Sequence, residues 1–185
     1  MIRKYKYYLI LHFTILIWGF TGIIGKILGI GGLNSSEIVF WRMLIAWVTL
    51  LLFLAIKKEQ LRLNKKTLLK FFGNGALIAL HWFFFFEAIA LSNVSVALVF
   101  MSTTAFFTTF AEWVIYRKYF DIKELITGFL VIVGIVIIVN DLNYENHPKY
   151  LKAVIFALIS AFLATIFEPP LAAIFLILTS VRSCL

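Results

Sequence analysis

The chain has 185 residues, of which 63% are hydrophobic and 14% charged, with a mean hydropathy of +1.00 and a net charge of +8. Soluble domains carry about a quarter charged residues and about half apolar ones, and a core of this size cannot hide the excess. Lipid is therefore the solvent for most of these side chains, which excludes a soluble enzyme, a disordered tail and a disulfide scaffold, since Cys184 is the only cysteine.

A hydrocarbon layer needs about 20 mainly apolar residues in a helix. The first such stretch, residues 8–28, follows Arg3, Lys4 and Lys6. It is too long for a signal core and has no suitably placed small-residue cleavage site, so it reads as a retained anchor. Within it Trp18 is followed by Gly19, Gly22, Gly25 and Gly29, glycines that share one helix face. Small residues on one face let a second helix approach closely, and this face is either a packing seam or a hinge for gating. The second stretch, 38–56, carries Arg42 near its outer end, with Glu37 just ahead of it. Lys26 and Arg42 can snorkel to the interface, and Glu37 is a candidate ion-pair partner for either.

The third stretch, 68–91, contains Asn74, His81 and Glu87. Seven residues separate Asn74 from His81, so they share a face, while Glu87 lies roughly 120° further round. An ionised group at the centre of a span costs about 2.5–3.5 kcal/mol. The many Leu, Ile and Phe residues here, at about 0.3–0.6 kcal/mol each, outweigh one such charge. The helix inserts, and His81 and Glu87 should face the interior, either for structural hydrogen bonds or as part of a substrate or proton path. Ser92-Asn93 leaves room only for a tight antiparallel hairpin into the fourth stretch, 94–116. There Ser95, Ser102 and Thr109 repeat every seven residues, and Thr104, Thr108 and Glu112 step by four. This polar stripe is expected to line a cavity, unless its hydroxyls bond their own backbone and Glu112 pairs with Arg117 and Lys118. A fifth stretch spans 122–139 and a sixth 153–167, the latter expected to end at Pro169-Pro170.

The fold class read from this pattern is an all-α membrane protein, a multi-pass transmembrane helix bundle of five spans plus a sixth. If all six cross, thirteen of the 17 basic residues fall on one side. The positive-inside rule then puts the amino terminus in the cytoplasm. The basic balance thus reflects topology and lipid headgroups, and no nucleic-acid partner is expected. Sequence patterns for a catalytic zinc site, a Walker loop, a Cys-x-x-Cys pair or an EF-hand are absent, so no catalytic residues, metal site or cofactor are assigned.

Trp18-Gly19 with Lys26 after it, Phe40-Trp41-Arg42 opening the second span, the serine hairpin, Glu112 closing the fourth span and the spacing of Gly128 and Gly134 together resemble the EamA family. These are drug/metabolite-type transporters, and the stretch His81–Leu98 looks like a bacterial subgroup. The resemblance covers about residues 8–140. It implies an inner-membrane carrier built from two inverted five-helix repeats, exporting small organic metabolites or drugs. It also implies a central cavity lined by helices three and four and, often, proton coupling. On this reading the substrate or proton path involves Asn74, His81, Glu87, Ser102, Thr109 and Glu112. Residues 1–140 form the first repeat; residues 141–185 are a loop, the sixth span and an atypical tail beginning a second repeat. The ending departs from the family pattern, and the chain is expected to be a truncated product, with a frameshift near residues 164–168. The alternative is a non-transporting subunit or half-transporter that acts as a homodimer through the glycine face of helix one, with the bilayer and a small solute as the other partners.

Overall fold

In a computed structural model of the protein, the described residues are 2–58, 65–116, 123, 126–130, 133, 134, 137 and 148–182. Six helices have assigned bounds, and no strand occurs among these residues: α1 (Ile2–Ile30), α2 (Ser35–Lys57), α3 (Lys65–Leu91), α4 (Val94–Met101), α5 (Thr104–Tyr116) and α6 (Pro148–Arg182). Five stretches are long and apolar enough to cross a membrane: Tyr8–Ile30, Ser35–Lys57, Lys65–Leu91, Val94–Val114 and Lys149–Ile166. They coincide with the first, second, third, fourth and sixth expected spans. The fifth expected span, 122–139, lies mostly outside the described residues. Its described members, among them 126–130, are helical, and a Cβ on Gly128 would come within 2.9 Å of the Phe106 ring.

Local chemistry sets the turns. At the end of α1 the Leu33 N–H bonds the Leu28 carbonyl at 3.2 Å and the Gly32 N–H bonds Gly29 at 3.1 Å. This reversal requires a left-handed residue, supplied by Gly32 at φ +98°. Asn34 then opens α2 with a capping box, its side chain accepting from the Glu37 N–H while the Glu37 carboxylate accepts from the Asn34 N–H. Asn93 caps α4 through the Val96 N–H at 2.8 Å, which closes the short hairpin expected between α3 and α4.

Two expectations about continuity are corrected. The fourth span is not one uninterrupted helix, because it breaks between Met101 and Thr104. Ser102, Thr103 and Thr104 each turn their hydroxyl back onto the carbonyl three residues earlier, at 2.6, 2.7 and 2.7 Å. The Thr103 N–H also bonds the carbonyl three residues back. Three consecutive bonds of this kind tighten the turn and interrupt the regular ladder. Conversely, α6 does not end at Pro169-Pro170 but continues to Arg182. A proline removes one helical hydrogen bond, whereas ending a helix in hydrocarbon strands several carbonyls, so continuation is the lesser loss.

The core joins four helices, with Ile38 and Val39 of α2, Phe85, Phe86, Ala88 and Ile89 of α3, Val96, Ala97 and Phe100 of α4, and Val154 and Ala157 of α6. The α3–α6 interface is the tightest. Ala153, Ala157, Ser160 and Ala161 are fully enclosed, with Ala164 nearly so. These small side chains recur at three- and four-residue spacing, which lets the α6 backbone approach a neighbour closely. The pairs His81–Ser160 and Phe84–Phe156 show that α3 and α6 run antiparallel. By contrast α1 and α2 leave most of their large apolar side chains uncovered, Leu9, Phe13, Leu16 and Trp47 among them. Such faces suit a lipid surrounding.

Candidate functional site

Of the expected path residues, His81 is the most completely enclosed, 4% exposed. Its Nδ1 lies 2.8 Å from the Ser160 carbonyl oxygen, which can only accept, so Nδ1 carries the hydrogen. The Ser160 hydroxyl lies 3.0 Å from the same nitrogen and donates to the His81 carbonyl at 2.9 Å. The ring and the serine therefore lock α3 to α6 across the tightest interface. Asn74 shares the His81 face as expected and is also buried, but its side-chain oxygen meets no hydrogen-bond donor among the described residues.

The remaining path residues do not gather around His81. Ser102 is exposed, and its neighbour Thr103 is the buried hydroxyl instead. Ser95 and Ser102 are both exposed while Thr109 is half-buried, so the three do not form one inward face. Thr109 bonds its own backbone at Ala105, 3.0 Å away. Glu112 is partly buried near the end of α5; Arg117 and Lys118, its expected partners, lie outside the described residues.

Glu87 sits elsewhere, on the wall of a cleft of about 310 Å³ between α1, α2 and α3. Gly25, Lys26 and Gly29 form one side, Asn34, Ser35 and Ile38 a second, and Phe86, Glu87 and Ala90 a third. Lys26 does not pair with Glu37. Its ammonium donates to the Ile89 and Ser92 carbonyls at 2.9 and 3.0 Å. These are orphan acceptors at the end of α3, where a cation is also favoured by the helix dipole.

The expected Glu37–Arg42 pair is not formed either. Five residues apart on a helix, the two point about 140° away from each other, and Glu37 is held by its own cap. Arg42 instead lies over Trp82, its guanidinium carbon 3.5 Å from the ring centroid. Trp18 meets the same indole edge-on at 6.3 Å, His81 at 5.0 Å, and Phe86 stacks on it at 5.8 Å. A cation–π contact contributes about 0.5–2 kcal/mol, less than the about 2.5–3.5 kcal/mol that an arginine within a span costs. Among the described residues no carboxylate or carbonyl oxygen completes the site.

The glycine face divides in two. A Cβ on Gly25 would overlap the Phe86 ring, and one on Gly22 would come within 2.9 Å of Val94. Both glycines thus serve contact with α3 and α4 of the same chain, and that half of the face is not free for a second copy. Among the described residues, Gly19 and Gly29 have nothing within 4 Å of the added carbon. Sequence reasoning missed the Arg42–Trp82 stack and the Lys26 cap, both of which depend on how helices meet. It also missed Ser160, although the Ala153, Ala157, Ala161 and Ala164 spacing was a readable signal for a buried face.

Apolar helices of spanning length, charged groups turned onto carbonyls and rings, and a cleft between three spans define a multi-pass α-helical membrane protein. Within that class, residues 5–140 match the EamA-like transporter family, so the chain belongs to this family of membrane transporters of small solutes. No curated protein and no solved structure matches the chain.

Proposed function

We propose that the protein exports small organic metabolites or drugs across the bacterial inner membrane, with its amino terminus in the cytoplasm. The observation that carries this reading is the charged cleft between α1, α2 and α3. Lys26 has a structural task as the cap of α3, but Glu87 has none of that kind, and a carboxylate-bearing residue on the wall of a void suits a solute path. On the proposed topology the cleft opens on the outer side, where α1 and α3 end and α2 begins. Residues 1–140 act as one repeat, with residues from 141 onward belonging to a second. Proton coupling is assigned to Glu87, the acidic residue on the wall of that cleft. His81 is a support for the path rather than a carrier, because its Nδ1 hydrogen is committed to Ser160.

Everted membrane vesicles containing the full chain test this. With a proton gradient imposed, small organic acids, amines and neutral solutes are added in turn. At least one should dissipate the gradient only when the protein is present. Glu87→Gln should lower that rate at least tenfold while insertion is unchanged. No responding solute, or an unaltered rate in the variant, contradicts the reading.

A further inference from the structure

Arg42 lies seven residues inside α2, about 10 Å along the axis from its first residue, Ser35, at about 1.5 Å per residue. Its guanidinium carbon is in van der Waals contact with the face of Trp82. That contact engages the cation's face and uses none of its five N–H donors in a hydrogen bond. No described side chain neutralises it. The residues lining the cleft end about one helical turn from this pair, on both α2 and α3. Ile38, on its α2 wall, stands one turn before Arg42, and Phe86, on its α3 wall, one turn after Trp82. Because α2 and α3 run in opposite directions, both offsets lead the same way, from the cleft down to the guanidinium.

We infer that Arg42, with Trp82 and Trp18, forms a binding site for the carboxylate of a small organic acid bearing an apolar or aromatic body. Arginine presents paired donors that match the two oxygens of a carboxylate, and it tolerates partial dehydration better than lysine does. The Trp82 ring orients the guanidinium, while Trp18, 62% exposed, offers an uncovered ring beside it. Lys26 and Glu87 carry opposite charges on the cleft walls, so Arg42 sets the sign of the deeper end. The inference names the substrate class of the proposed exporter and rests on that reading for its biological meaning.

Equilibrium dialysis of radiolabelled phenylacetate against the purified full chain in detergent tests the site without requiring transport. Saturable binding is expected. Unlabelled phenylacetate should compete, whereas phenylacetamide and phenethylamine should compete at least tenfold less well. Arg42→Gln should weaken binding at least tenfold, and Arg42→Lys, which keeps the charge but not the fork, by a smaller factor. Absence of binding, equal competition by phenylacetamide, or unchanged affinity in Arg42→Gln overturns the inference. Should Arg42→Gln not fold, the competition by phenylacetamide in the unaltered protein still decides. If phenylacetate binds as expected but no solute dissipates a gradient in vesicles, the site stands and the export reading fails. If a solute does so while phenylacetate binding is indifferent to Arg42, the export reading stands and this inference fails.

Discussion

At the scale of single residues, polar groups inside the bundle either find a partner or mark a place where one is missing. His81 and Ser160 exchange hydrogen bonds in both directions across α3 and α6. Hydrogen bonds between membrane helices contribute on average about 0.6 kcal/mol and at most about 1.7 kcal/mol. Each of the His81 and Ser160 bonds ends on a backbone carbonyl that truncating the other residue leaves in place. His81→Ala and Ser160→Ala should therefore each lower unfolding stability in detergent by at least about 0.6 kcal/mol, and no loss in either variant would contradict the lock. Asn74 is the opposite case, a buried oxygen without a donor among the described residues. Leaving such a group unsatisfied costs about 1–3 kcal/mol, so Asn74→Leu should raise unfolding stability rather than lower it. A loss of more than 1 kcal/mol, as expected for a satisfied amide, would show that this oxygen is bonded after all. The burial of His81 and Asn74 was legible in the sequence because seven-residue spacing and the expense of polar atoms in hydrocarbon both point inward. Their partners were not legible, since a contact across 79 residues leaves no trace in local periodicity.

Among elements, what length and hydropathy could decide they decided. The spans with assigned bounds stand where apolar runs of about 20 residues place them. The interruption of the fourth span depends instead on three adjacent hydroxyls acting together, which a periodic count treats as separate positions. The glycine face of α1 was legible as a seam, but not which glycines it uses. Gly25 sits against Phe86 and Gly22 near Val94, while Gly19 has open space. Gly25→Leu should therefore detach α1 from α3 and destabilise the chain by about 1–3 kcal/mol or more, the usual effect of overpacking. Gly19→Leu should leave unfolding stability within about 0.5 kcal/mol, as surface positions do. Equal losses at the two positions would mean that the whole face is covered by something beyond this bundle.

For the whole molecule, the parts agree on one arrangement. The C-terminal ends of α1 and α3 come together, as Lys26 of one capping the last carbonyls of the other requires. The short turn at Ser92-Asn93 lies beside them, and the lysine-rich start of α3 lies at the opposite end. Only the sign of the basic residues turns this arrangement into a direction across the bilayer. The location of the cleft was not legible, because it arises where three helices splay around Gly25, Ile38 and Phe86 rather than from any motif. Its relation to function depends on facing outward, and labelling in intact cells measures that directly. With Cys184 replaced by serine, a cysteine introduced at Ser92 should react with a membrane-impermeant maleimide, while one at Lys66 should react only after the cells are opened. Equal labelling of both positions from outside, or labelling of Lys66 alone, would contradict a spanning bundle whose cleft and arginine face the exterior.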